Sequence, residues 1–160
     1  MKLALTKFKF YPSFSEETNA YEATVTIDGV PVFTASNRGT GGADDYHPLP
    51  PFDLNRAKLR EAESYAKTLP PRPSTQNLPD LPMSLELLIG DLVTEKIIAM
   101  DLTKAMKTKA LLADGGKVYE YKKKGVPVAK IIDWLKNNKP GLPILNELPF
   151  ADALAIYRNA

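Results

Sequence analysis

Residues 20–28 read Ala20-Tyr21-Glu22-Ala23-Thr24-Val25-Thr26-Ile27-Asp28, and Gly29 follows. Successive side chains of a strand point to opposite faces, so Tyr21, Ala23, Val25 and Ile27 share one face and Glu22, Thr24 and Thr26 the other. Asp28-Gly29 then supplies the positive φ angles that a two-residue type I′ hairpin needs. A return strand over Val30 to Ser36 is expected. A chain that commits to a tight hairpin here builds antiparallel sheet. Residues 3–11 offer a neighbouring strand, with Leu3, Leu5, Phe8 and Phe10 as its apolar positions, lysines between them, and Pro12 ending it.

The pattern changes after the proline-dense stretch Pro48 to Phe52. Asp53 is the expected N-cap of a helix from about 54 to 67, with Leu54, Ala57, Leu59, Ala62 and Tyr65 as its apolar positions. A proline-rich surface linker is expected at about 68–82, stiff without a hydrogen-bonded element. The longest helix is predicted over 83–107, where Leu85, Leu88, Ile89, Leu92, Val93, Ile97, Met100 and Met106 recur near helical spacing. Gly90 within it costs about 1 kcal/mol relative to alanine, and close packing on the sheet is the expected reason for it. A second hairpin follows: Ala110 to Leu112, the turn Asp114-Gly115-Gly116, and Lys117 to Tyr121. Then come a helix over 127–138, an extended piece over 142–145 and a helix over 149–158. In the 127–138 helix Ile131, Trp134 and Leu135 are expected in the core, and Phe150 is expected to staple the last helix down.

Strands, helices, strands and helices in blocks mean α+β. The expected architecture is an antiparallel sheet from a three-strand meander and a second hairpin, packed by a long central helix and shorter ones. At 160 residues one domain, 1–160, is expected.

Composition narrows the chemistry. Cysteine is absent, which excludes a disulfide framework, thiolate zinc sites and cysteine nucleophiles. His47 is the only histidine, so a serine triad would depend on it alone, and no Gly-x-Ser-x-Gly elbow is present. No apolar run reaches the roughly 18 residues of a transmembrane helix, and Met1 to Lys7 turns charged too early for a signal peptide. The expectation is a cytoplasmic protein without a membrane partner, without a cofactor or metal, and not an enzyme.

Two segments could carry function. The first is Ser36-Asn37-Arg38-Gly39-Thr40-Gly41-Gly42-Ala43-Asp44-Asp45-Tyr46-His47. Such a loop can aim backbone N–H groups at an anion, with Arg38 adding charge, or glycine can serve only to let the chain turn. It lacks the Gly-Lys-Ser/Thr ending of a P-loop and the dinucleotide fingerprint. Asn37, Arg38, Gly39, Gly41, Gly42, Asp44, Asp45 and Tyr46 form the candidate binding set. Asp44, Asp45 and His47 are metal-ligand types, but one flexible loop supplies no second element to complete a shell.

The second is the lysine-rich half. From 96 to 139 every basic residue is lysine, opposed only by Asp101, Asp114, Glu120 and Asp133. Net charge is just +2, so the molecule is expected to be polarised. Lys117, Tyr119, Tyr121, Lys122, Lys123 and Lys124 form a candidate nucleic-acid surface, with the tyrosines available to stack on bases.

Ser15-Glu16-Glu17-Thr18 before a strand, the run Ser36 to Gly42 after a hairpin, and the Leu85-to-Leu112 region with Lys107-Thr108-Lys109 together resemble a family of small uncharacterised proteins encoded by bacteriophages and prophages. The resemblance covers most of the chain and implies no catalytic residue. It implies a phage accessory protein in the host cytoplasm, where binding a host or defence protein to modulate or inhibit it is the leading expectation. A non-specific nucleic-acid binder using the lysine-rich half is the first alternative. A nucleotide or phosphate binder, or a small enzyme, built on the glycine loop is the second. Self-association is left open.

Overall fold

A computed structural model describes residues 1–74 and 78–160. The class is α+β: a four-stranded antiparallel sheet, a separate two-stranded hairpin and four α-helices. The chain divides into two compact units, Met1–Glu95 and Lys96–Ala160. Up to Glu95 there are 9 basic and 13 acidic residues, and beyond it 12 and 6, so the units carry net charges of −4 and +6.

In the first unit the strands are β1 (Leu3–Phe10), β2 (Tyr21–Ile27), β3 (Val30–Asn37) and β4 (Asp45–Pro48), in the order β1-β2-β3-β4. Asp28 and Gly29 form the expected tight turn at φ 49° and 85°, and Ile27 pairs with Val30 across it. In β1 the apolar residues jump by three, from Leu5 to Phe8. Lys7, at φ 49°, absorbs the extra residue, so Lys7 and Phe8 together face Ala23 and the register resumes at Lys9 opposite Glu22. The expected meander gains a fourth strand, since Asp45 to Pro48 pairs with Phe33 to Ser36. Four residues that include Asp45 and Pro48 give little strand signal, and only an edge position tolerates the proline.

Leu3, Leu5, Tyr21, Ala23, Val25, Ile27, Phe33 and Ala35 are buried, and helix α1 (Phe52–Ala66) packs along β3 and β4. Its buried residues are Asn55, Ala62 and Ala66, while Leu54 and Ala57 are exposed. Of the expected apolar face, Ala62 is buried and Leu59 and Tyr65 are half-buried, so only its first turn departs from expectation. In that first turn Asn55 takes an inward place that hydrophobicity alone would not assign, its amide donating to the Leu49 carbonyl at 2.9 Å. Pro51, not Asp53, occupies the N-cap.

Of the proline-rich linker, residues 75–77 lie outside the described residues. The rest is not free of hydrogen-bonded structure: Arg72 and Leu81 exchange two backbone bonds of 2.9 Å each. Helix α2 (Leu85–Thr108) starts at Ser84, whose hydroxyl accepts the Leu87 N–H at 3.2 Å. Leu85, Ile89 and Val93 are buried at four-residue spacing. Gly90 has no close neighbour, because a Cβ there would meet nothing within 4 Å. The expected tight approach at that position is not what the glycine serves.

In the second unit β5 (Ala110–Asp114) and β6 (Lys117–Tyr121) form a sheet of their own, turning through Gly115 and Gly116 at φ 58° and 76°. One hairpin face carries Ala110 and Leu112 into a cluster with Leu135 and Ile144, flanked by Tyr121, Val128, Ile131, Ile132 and Leu142. The other carries Leu111 into a cluster with Leu102, Ala105, Leu145 and Ala153. Helices α3 (Val128–Asn138) and α4 (Phe150–Asn159) supply the outer layers. Asn146, between α3 and α4, ties that connection to the hairpin and to the end of α2: its Oδ1 accepts the Leu111 N–H at 2.8 Å and its Nδ2 donates to the carbonyls of Met106 and Lys109. Phe150 is exposed; Ala153 anchors α4 instead. Among the described residues no helix is long and apolar enough to cross a membrane.

Candidate functional site

The glycine loop turns inward on itself. Asn37 Oδ1 accepts the Gly39 N–H at 2.8 Å and the Thr18 hydroxyl at 2.7 Å. Its Nδ2 donates to the Gly42 carbonyl and to Asp44 Oδ1, both at 2.9 Å. The Gly41 N–H donates to Thr18 Oγ1 at 3.3 Å, and the Gly39 carbonyl accepts from Glu16, Glu17 and Thr18. The N–H groups of Gly39 and Gly41, which an anion cradle would need, therefore already have partners. A Cβ on Gly39 would sit 2.1 Å from the Phe14 carbonyl oxygen, so glycine is required there for close approach as well as for its φ of 87°.

Asp44 is the polar anchor below the loop. Its Oδ2 accepts the hydroxyls of Tyr21 at 2.7 Å and Tyr46 at 3.1 Å. Burial, and then the adjacent Asp44 carboxylate, push both phenols well above the usual tyrosine range. Tyr46 also meets Phe33 edge-on at 5.6 Å between centroids. Beside this network lies a cavity of about 300 Å³, lined among others by Tyr21, Asn37, Asp44, Glu86 and Gly90. Arg72 and Asp91 form an ion pair at its edge.

Of the candidate binding set, Asn37, Gly42 and Asp44 come together at this cavity, and Tyr46 joins them through Asp44. Arg38 lines a different hollow, of about 400 Å³, with Tyr11 and Phe14. Asp45 is exposed on the edge strand β4, Gly39 is a buried packing position, and Gly41 is exposed beside the Glu17 side chain. Among the described residues no group of three or more His, Cys, Asp or Glu side chains could hold a metal ion.

The second unit holds a groove of about 490 Å³ between the end of β6 and α3, lined by Tyr121, Lys122, Lys123, Val126, Lys130, Ile131 and Trp134. A turn builds its mouth: the Val126 N–H returns to the Lys123 carbonyl at 3.1 Å, with Gly125 at φ 76° taking the position that a left-handed residue must occupy. Lys130 and Trp134 stand four residues apart on α3 and so share one helix face. The Trp134 ring lies 6.5 Å from Tyr121, inclined at 46°. Trp134 is 52% exposed, which corrects its expected place in the core; Leu135, fully buried, fills that role.

The lysines differ in their partners. Lys109 pairs with Glu120, and Lys136 with Glu147 at 2.5 Å. Among the described residues Lys122, Lys123 and Lys130 have no ion-pair partner. Tyr121, Lys122 and Lys123 of the candidate nucleic-acid set line the groove, whereas Lys117, Tyr119 and Lys124 do not. Sequence reasoning missed Val126, Lys130, Ile131 and Trp134. The available signal was the four-residue spacing of Lys130 and Trp134, but the helical spacing of Ile131, Trp134 and Leu135 points to the core instead.

No protein-family model matches the chain, and no curated protein or solved structure matches it.

Proposed function

We propose that this protein binds nucleic acid through its basic second unit, as an accessory factor and not as an enzyme. The observation that carries the reading is the groove: three lysines, without carboxylate partners among the described residues, surround a half-exposed tryptophan and a tyrosine. The surrounding unit carries a net charge of +6. Unpaired cations favour phosphates, because binding releases the counterions condensed on the nucleic acid. The sequence resemblance to phage and prophage proteins supplies a setting, the host cytoplasm, in which DNA and RNA are both at hand. The test is fluorescence anisotropy of a labelled oligonucleotide over a salt series. Affinity is expected to fall steeply with salt and to weaken strongly in the Lys122→Ser/Lys123→Ser/Lys130→Ser variant. Absence of binding at low salt would refute the proposal.

A second reading places a host or defence protein on the first unit. It is favoured by Phe14, 64% exposed, stacked edge-on with Tyr11 beside the exposed Arg38. Aromatic residues and arginine are the types that dominate protein interfaces. A partner captured by the full chain and lost on Arg38→Ala/Phe14→Ala would establish it, and retention of that partner would remove the site.

A further inference from the structure

We infer that the groove between β6 and α3 accepts an unpaired nucleobase, which stacks on Trp134, so that the protein selects single strands over duplex. This inference rests on the nucleic-acid reading above and specifies its ligand. A surface that only neutralises phosphates needs lysines and no aromatic platform. Here the one tryptophan of the chain is left half open to solvent, while its neighbour Leu135 joins the buried cluster with Ala110 and Leu112. Tyr121 buttresses its ring from one side at 6.5 Å, and Val126 and Ile131 give the groove an apolar floor. The 46° inclination of the two rings leaves them unstacked on each other, so a flat partner can lie on the indole.

The cations are placed for the backbone that flanks such a base. Lys122 and Lys123 come from the turn after β6, and Lys130 comes from α3 one helical turn before Trp134. They approach the aromatic platform from two different elements. A base held in a duplex is stacked on its neighbours and hidden from such a platform, whereas every unpaired base offers a π face. The volume of about 490 Å³ falls within the range of small-ligand sites. The chemistry reads an unpaired base on a phosphate backbone; the ribose 2′-hydroxyl decides between RNA and DNA.

The test uses the full chain, with Trp134 as its own reporter. Twenty-residue deoxythymidine and uridine oligomers and a 20-base-pair duplex are titrated at low salt while indole emission is followed. Saturable quenching by the single strands, with duplex bound at least tenfold more weakly, is expected. Trp134→Leu, followed by anisotropy of a labelled oligomer, should lose roughly tenfold to a hundredfold in single-strand affinity, and Trp134→Phe should restore most of it. Lys122→Ser should instead lower the salt dependence, by about 0.7 in the logarithmic slope for each phosphate that is no longer neutralised. Circular dichroism checks that each variant is folded. Duplex and single strand bound equally without quenching, while the lysine variants still weaken binding, would overturn the stacked base and leave the nucleic-acid reading standing. No salt-dependent binding of any of the three would overturn both. The deoxythymidine and uridine arms distinguish the two sources of the base.

Discussion

Asn37 donates from Nδ2 to Asp44 Oδ1 at 2.9 Å, and through that bond one side chain of β3 holds both ends of the glycine loop. Asn37→Ala removes four hydrogen bonds, to Thr18, Gly39, Gly42 and Asp44. At about 1 kcal/mol each, discounted for partial exposure, the loss should be about 2–3 kcal/mol in urea denaturation. Asn37→Asp should be worse, since it replaces the donor with a carboxylate facing Asp44.

The glycines of this chain should differ sharply under alanine substitution. Gly39→Ala brings a methyl to 2.1 Å from a backbone oxygen at positive φ and should cost more than about 2 kcal/mol. Gly42→Ala meets nothing and should stay within about 0.5 kcal/mol. Gly90→Ala, inside α2 with open space at its Cβ, should stabilise by about 1 kcal/mol. Thermal denaturation of the three variants separates packing from turn chemistry.

The phenols of Tyr21 and Tyr46 are raised in the folded state by burial and by Asp44. An acid that holds its proton more tightly when folded contributes its full stability below its unfolded pKa, about 10, and that contribution drains away as pH rises from there toward the folded pKa. Stability should therefore decline above about pH 10. Ultraviolet titration should show that two of the seven tyrosines ionise only as the protein unfolds, and Tyr46→Phe should leave one.

Trp134 and Leu135 are neighbours on α3 with opposite surroundings. Leu135→Ala empties a fully buried site and should cost about 2–5 kcal/mol. Trp134→Ala should cost far less, and the native indole should emit at a solvent-exposed wavelength. Iodide should quench it more efficiently than caesium, because Lys122, Lys123 and Lys130 surround it. Added salt should narrow the difference by screening.

The strands and their turns were legible because period-two alternation and the Asp28-Gly29 pair are local signals, and the long helix because its apolar stripe spans most of its length. What was not legible depended on distant partners. Asp45 to Pro48 became a strand only because β3 offered an open edge. Asn55 turned inward only because the Leu49 carbonyl needed a donor. Six of the eight residues in the glycine-loop set, Asn37, Gly39, Gly41, Gly42, Asp44 and Tyr46, take part in internal hydrogen bonds, and Thr18, the partner of Asn37 and Gly41, lies 19 and 23 residues away along the chain. The groove was half visible, through Tyr121 and its lysines. The helical spacing of Ile131, Trp134 and Leu135 points all three at the core, but exposure is a property of the packed helix and not of the residue type.

The bulge in β1 has a consequence for how this sheet tolerates change in length. Lys7 is the extra residue, held at φ 49°, and without it the strand would read Leu-Ala-Leu-Thr-Phe-Lys-Phe, an unbroken alternation with every apolar side chain still on its present face. The reading frame of the sheet is thus indifferent to this one codon: a deletion, ordinarily ruinous inside a strand, would here regularise the pairing.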